Sequence, residues 1–431
     1  MFKNLLLSTL FCLMTFSSIA HAETDGAVDE MIINNNGSYN GNSGVSGVMG
    51  EPAVGSSTLG PVGLIFDRHF SPYTGAEMAT TLLRGYEWLD DKLIPSTTGD
   101  TSFSMILGRT GKALVELVLF DFLTTFQHEV FGHGFRAREF GVPVHRYEVT
   151  FFSGGTTYLD GFRFNSLSLN EQIAINAGGV EANNIMAKRV RDRWLNTGRM
   201  DNREALFYLL NEFEQTYYIG STKSKSPGIN DGHDIFNYVQ DINRWFGRPV
   251  LTTSQLRRKT RVDYLNPYFF YSLFSIGQYV FDGTQTMEYP MFHIGDYHYL
   301  PAMHLVLAPY GTEYNFLNFI RCGERVYQAN IRFGETGGQH SYGLALEATK
   351  LMTTDLIDLD GKLDVWYQPK MFTFRATNSH KAGAALSMIG HLRFGQSAEL
   401  IGQLGYKTTG FMLGEELRHS PIMRIGFLVS F

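Results

Sequence analysis

The chain has 431 residues and a formal net charge of −6, with no basic tract, which excludes nucleic acid as a partner. Aromatic residues make up 14%, glycine occupies 45 positions and charged residues only 18%, a mix unlike that of a soluble enzyme and like that of a β-rich envelope protein. Of its two cysteines, Cys12 lies in an apolar leader, so Cys322 stands alone afterwards and neither an intrachain disulfide nor a multi-thiolate metal site is available.

Residues 1–22 read as a secretory signal peptide: Lys3 supplies a positive start, Leu5 to Phe16 an apolar run too short to span a bilayer, and Ala20-His21-Ala22 a small-x-small cleavage site. Export is therefore predicted. Residues 23–60 are rich in Asn, Gly and Ser, as in Asn34-Asn35-Asn36-Gly37, and are predicted to form a disordered arm. Helices are predicted over 75–93 and over 112–139. The second is strongly apolar from Ala113 to Phe126 apart from Glu116 and Asp121, and Gly141 and Pro143 stop it. Residues 144–165 predict a β-hairpin with a turn at Ser153-Gly154-Gly155 and another at Leu159-Asp160-Gly161. Further helices are predicted over 170–195, 202–218, 231–246 and 268–280, with a polar loop at 221–228.

After Pro301 the hydrophobic period changes from 3.6 to 2. Tyr327, Ala329, Ile331 and Phe333 alternate with polar residues, as do Tyr342, Leu344 and Leu346, then Leu363, Val365 and Tyr367, then Met388, Leu392 and Phe394. Asp360-Gly361 and Gly337-Gly338 read as turns, and Gly337-Gly338-Gln339-His340-Ser341 as a hairpin loop. The chain ends Met423-Arg424-Ile425-Gly426-Phe427-Leu428-Val429-Ser430-Phe431, with apolar residues at odd positions and a terminal Phe431. This resembles the closing strand of a bacterial outer-membrane β-barrel, a family that presents such an end to its assembly machinery. The fold class expected is α+β: a mainly helical region over 61–300, then an antiparallel outer-membrane-type barrel of about eight strands over 301–431.

The stretch richest in chemistry is His128-Glu129-Val130-Phe131-Gly132-His133. Two neutral imidazoles hold Zn²⁺, and an adjacent carboxylate takes a proton from the bound water. The customary spacing of such a pair is i,i+4; here it is i,i+5, which on a regular helix sets the rings roughly 140° apart. A π-bulge near Phe131-Gly132 absorbs the extra residue and restores a common face. The expectation is that His128 and His133 are metal ligands and Glu129 the general base.

The order that follows, a Gly-Val-Pro-Val exit, a hairpin, and a helix carrying Ala177-Gly178-Gly179-Val180-Glu181-Ala182-Asn183, resembles the core of site-2-type metalloproteases, over about 110–245. In that family an Asp-Gly pair on a later helix supplies a ligand, and Asp231-Gly232 stands at a comparable place. This chain departs from the family in the extra residue between the His ligands, in Gly-Val-Glu where the family has Pro-x, and in lacking polytopic apolar helices. Three candidates for the third ligand stay open. Glu181 comes first, as a Glu on a following helix completes the His-Glu-His site of thermolysin-like enzymes; its structural alternative is a pair with Arg136 or Arg138. Asp234 and Asp231 follow. His233, His145, Asp121, Asn183 and Asn184 are lesser candidates for supporting roles.

Two function classes follow. One is a zinc-dependent hydrolase, a peptidase by resemblance, of the outer membrane or periplasm, with lipid, the barrel-assembly machinery and a peptide or protein substrate as partners. The other is a non-enzymatic outer-membrane protein in which the His/Glu cluster is a structural polar network.

Overall fold

The computed structural model describes residues 62–94, 97–151, 154–222, 233–395 and 398–429. The signal peptide, the arm, Asp231, Gly232 and Phe431 lie outside the described residues.

A short strand, β1 (Val62–Asp67), precedes two long helices, α1 (Pro72–Leu93) and α2 (Phe103–Phe126). Helix α2 passes without a break into a π-helical segment, Gln127–His133, and then into α3 (Gly134–Glu139). The predicted helix 112–139 is thus longer at its start and changes pitch in its middle. The hairpin forms as β2 (Val144–Thr150) and β3 (Gly154–Leu159), but its expected second turn is the start of a short helix, α4 (Gly161–Asn165), because the Asp160 side chain caps Arg163 N–H. Helix α5 (Leu169–Thr197) opens with a capping box of Ser168 and Glu171. The predicted helix 202–218 is two helices, α6 (Asn202–Glu212) and α7 (Glu214–Ser221), separated at Phe213. Then come α8 (Asp234–Phe246), α9 (Thr253–Lys259) and α10 (Pro267–Asp282). Short strands β4 (Arg199–Asp201) and β5 (Thr286–Glu288) pair with each other.

The C-terminal half is a ten-stranded antiparallel sheet. Its members are β6 (Phe292–Ile294), β7 (Tyr297–Ala308), β8 (Gly311–Cys322), β9 (Arg325–Thr336), β10 (Gln339–Thr353), β11 (Ile357–Pro369), β12 (His380–Phe394), β13 (Ala398–Lys407) and β14 (Ser420–Val429), with β1 joined beyond β14. The eight long strands match the predicted number. Closure into a barrel does not follow: β1 and β6 are the edges, and no pairing joins them among the described residues. Two turn readings are corrected. Asp360 and Gly361 lie inside β11, where Leu351, lifted by a bulge in β10, occupies the space a side chain at 361 would need. Gly337 and Gly338, both at positive φ, make the β9–β10 turn, but Gln339, His340 and Ser341 are already paired strand residues.

The exposed face of the sheet is rich in large apolar side chains. Many of the sheet's inner positions are polar: Asn315, Gln328, Asn330, Arg332, Glu347 and Asp364 line the cavity behind β8–β11, together with Leu317 and Phe319. Its outer positions are large, apolar and exposed, among them Ile331, Phe333, Leu344, Leu346, Val365, Leu386, Leu404 and Ile425. Helix α5 lies against the polar face and is tied to it by charges: Lys188 reaches Glu347 at 3.0 Å, and Gln328 donates to Asp192 at 3.0 Å. At the other end of α5, Ile173, Ala177 and Val180 pack with Ile235, Tyr238, Ile242 and Trp245 of α8 and with Leu305 and Leu307 of β7. That core fixes the start of α8 beside the middle of α5.

Arg332 and Asp364 pair across the buried inner face, with Glu313 close by. Replacing Arg332 by Met leaves the buried carboxylates of Asp364 and Glu313 without this cation, so R332M is expected to destabilise the fold by about 3–5 kcal/mol. A clear fall in the melting temperature of the purified protein checks this; an unchanged melting curve contradicts it.

Candidate metal centre

Regular α-helix geometry would separate His128 and His133; the π turn brings them together. Within Gln127–His133 the hydrogen bonds widen, ending with Gly134 N–H donating to the Glu129 carbonyl five residues back. The two rings then stand 4.9 Å apart, centroid to centroid, on one face. Small residues let this segment cross α5 closely. A Cβ at Gly132 would lie 2.5 Å from the Gly178 carbonyl oxygen, and one at Gly179 would lie 2.1 Å from His128 Nε2. The Ala177-Gly178-Gly179 run is thus the seat of the His128 ring.

The side chains His128, Glu129 and His133 are all buried and form a cluster able to hold a metal ion. Asp234, the first residue of α8, adjoins it: its Oδ2 lies 3.1 Å from His128 Nε2 and 3.1 Å from His133 Nε2. His133 Nδ1 lies 2.6 Å from the Ile175 carbonyl oxygen, which only accepts, so Nδ1 carries a hydrogen and donates it. In the neutral ring this leaves Nε2 with a lone pair aimed at the carboxylate. His128 Nδ1 sits between the Asn183 amide, at 3.3 Å, and Glu214 Oε1, at 3.5 Å. Glu129 is held differently: the Thr157 hydroxyl donates to its Oε2 at 2.7 Å, and strand β3 presses on it so closely that a Cβ at Gly155 would lie 2.5 Å from Glu129 Cγ.

Two nitrogen lone pairs and a carboxylate cannot face one another in a buried place without positive charge between them. Protons are one way to supply it. Burial alone lowers an imidazole pKa, but the charge of Asp234, with Glu129 and the Ile175 carbonyl, pushes His133 up to about 10. His128 is also raised against burial, by Glu214 and Asp234. Burial would lift Asp234, yet His133 and His128 hold it well below the usual carboxylate range. Burial raises Glu214, with His128 opposing.

The remaining candidates fall elsewhere. Glu181 is not brought to the imidazoles. Its Oε2 takes Arg136 Nε at 2.9 Å and its Oε1 takes Arg136 Nη2 at 2.5 Å and Gly414 N–H at 2.7 Å, the structural pairing named above as its alternative. Asp231 lies outside the described residues. His233 stacks on Tyr218 at 4.7 Å, and His145 is exposed, near Asp160. Asp121 is not among the described partners of either imidazole. Asn184 turns to Gln215, whereas Asn183 does reach His128. Sequence reasoning missed Glu214, Thr157 and Tyr218, whose hydroxyl accepts from Asp234 N–H at 3.3 Å.

Comparison with protein-family models, with curated proteins and with solved structures finds no match to this chain. What stands of the motif is the spatial His-Glu-His cluster itself.

Glu181 offers a control on ligand assignment. Glu181→Ala leaves Arg136 buried with one fewer carboxylate and is expected to cost about 3–5 kcal/mol of stability, while the folded protein keeps the metal content of wild type. Loss of metal from folded E181A would return Glu181 to the ligand set.

Proposed function

We propose that the protein is a zinc-dependent hydrolase, a peptidase by the resemblance of its motif order to site-2-type enzymes, seated in the bacterial outer membrane. The observation that carries the reading is the convergence of His128 Nε2 and His133 Nε2 on one oxygen of Asp234, both at 3.1 Å. The donor set fits the ion. Two nitrogens and an oxygen at about 2.0–2.1 Å from a tetrahedral zinc stand about 3.3 Å from one another, close to the separations here. Carboxylates beyond the ring, Glu214 at His128, and a carbonyl, Ile175, at His133 are the partners that orient metal-binding imidazoles.

His128, His133 and Asp234 would hold Zn²⁺. Bound there, the ion supplies a Lewis acid and lowers the pKa of water toward about 7. The chain's own groups do the rest. Glu129, next to a ligand and oriented by Thr157, would take the proton from the attacking water and deliver it to the leaving group. The Thr157 hydroxyl, donating to Oε2, fixes the carboxylate's orientation. Tyr218 keeps its proton, because burial and then Asp234 and Glu214 raise its pKa well above the usual phenol value; its hydroxyl is a donor beside the site. The location rests on the exposed apolar face of the sheet. Tyr314, Phe333, Tyr342 and Tyr367 are successive cross-strand partners on its outer face, forming an aromatic row at one level across β8–β11. Such rows mark the membrane interface of outer-membrane proteins.

The burial of His128, Glu129 and His133 favours a second reading, a structural polar network joining the π-helical segment, α5 and α8. Metal content separates the two. Glu129→Gln is expected to keep about one zinc per chain and lose peptide hydrolysis by roughly 100-fold or more, while Asp234→Ala loses the metal. Zinc-free wild type, with all variants folding normally, supports the structural network. Because His133 is raised to about 10, it is protonated at neutral pH and must shed its proton to bind metal. Zinc binding is therefore expected to release protons and to tighten as pH rises toward that value. Calorimetry in buffers of different ionisation enthalpy checks this, and a buffer-independent enthalpy contradicts it.

A further inference from the structure

The sheet leaves an interval between its edges. In an acyl layer an open strand edge leaves backbone groups without partners, so the location proposed above requires something to cover β1 and β6. Helices occupy that interval. Thr81 of α1 serves the β1 edge: Gly63 N–H donates to its hydroxyl oxygen at 3.1 Å and the hydroxyl donates back to the Gly63 carbonyl. Helix α1 meets α2 through Tyr86, whose hydroxyl donates to Glu116 at 2.9 Å, and through Lys112, which pairs with Asp90 at 2.9 Å. Helix α2 meets α10 through Arg109, which donates to the Phe281 carbonyl at 3.1 Å, and through Lys112 over the Tyr279 ring. Helix α10 packs against β7, whose other neighbour besides β8 is the edge strand β6. The contacts thus run from β1, at one edge of the sheet, to β7, the strand next to the other edge.

The two sides of these helices differ as the two faces of the sheet do. The charges just named point inward, where Asp90, Arg109 and Glu116 are buried. Outward, α1 and α2 form an apolar groove lined by Leu82, Trp88, Leu89, Leu119 and Leu123. Beyond it Leu107 and Val115 of α2 and Phe270 and Phe274 of α10 are exposed. The charged residues exposed on α1, Asp91 and Lys92, sit at its C-terminal end. No described helix is long and apolar enough to cross a membrane alone; a helix with one polar side packed on protein has no need to be.

We propose that α1, α2 and α10 complete the strand wall, and that the groove between α1 and α2 is filled by lipid acyl chains, as the outer face of the sheet is. This rests on the membrane location and extends it to a mixed wall of strands and helices. Acyl chains suit the groove because its lining is almost wholly hydrocarbon and runs on from β1, whose outer residues Leu64 and Phe66 are apolar too. The Asn/Gly/Ser-rich residues 23–60 hold too few large apolar side chains to fill it.

Trp88 makes the test direct. It is 36% exposed, while Trp194, Trp245 and Trp366 are buried. The full protein is reconstituted in phosphatidylcholine vesicles with ordinary or brominated acyl chains, which quench tryptophan on contact. Wild type is expected to lose about a quarter of its emission in the brominated lipid, one tryptophan of four. W88F is expected to lose almost none, and L344W in the W88F background to regain the loss from the sheet's outer face. If L344W is quenched and Trp88 is not, the helical wall is wrong and the strand location survives. If neither is quenched, or the protein stays in the aqueous phase, the location itself falls.

Discussion

One geometric constraint governs the centre of this molecule: two imidazoles five residues apart must share a face. A 3.6-residue helix forbids it, and a single widened turn allows it. A π turn bulges the backbone, and the bulge must be received by a neighbour that yields room. Gly178 and Gly179 yield it, with Gly132 on the facing side. The crossing of the two segments, the seat of the His128 ring and the donation from His133 to the Ile175 carbonyl therefore form one arrangement, in which moving any part displaces the others. Asp234 is aimed at the same point from α8, which the Ile235–Trp245 core holds against α5.

The electrostatics follow from that arrangement. Three acidic side chains, Glu129, Glu214 and Asp234, surround two imidazoles; Glu129 is buried, and Glu214 and Asp234 are partly so. Charge of this kind survives burial only when balanced, by protons or by a cation. The raised imidazoles and the depressed Asp234 describe the protonic solution. On the proposed reading a divalent ion would answer the same demand and leave Glu129 to act as the base. The inner face of the sheet extends this logic outward: Lys188 with Glu347 ties α5 to the sheet, and Arg332 with Asp364 balances charge between its strands.

What was legible in the sequence was what local spacing dictates. The i,i+5 pair predicts a π turn and the structure has one at Gln127–His133. Period-two alternation predicts about eight strands and marks by residue those that become β9 to β12 and β14, whereas β7, β8 and β13 are not singled out by it. What was not legible depends on partners far away in the chain. The six residues of β1 become a strand because they pair with β14, and Asp67 meets Arg424 357 positions later. Glu181 and Asp234 look alike as candidate ligands; only the packing of α5 sends the first to Arg136 and the core of α8 sends the second to the imidazoles. Glu214 was hidden inside what reads as one continuous helix, since nothing local to Phe213 announces the break between α6 and α7. The same locality explains why turn-forming Asp360-Gly361 sits mid-strand: a bulge in the neighbouring strand needs the space that glycine leaves.

The claim on which the rest depends is that His128, His133 and Asp234 surround a zinc ion. X-ray absorption at the zinc edge of the purified protein addresses it without any assumption about substrate. The account predicts one zinc per chain with nitrogen and oxygen neighbours at about 2.0–2.1 Å, no sulfur shell, and the outer-shell scattering of two imidazoles. A spectrum with no zinc above the buffer level, or one with a sulfur shell or without the imidazole pattern, would contradict it.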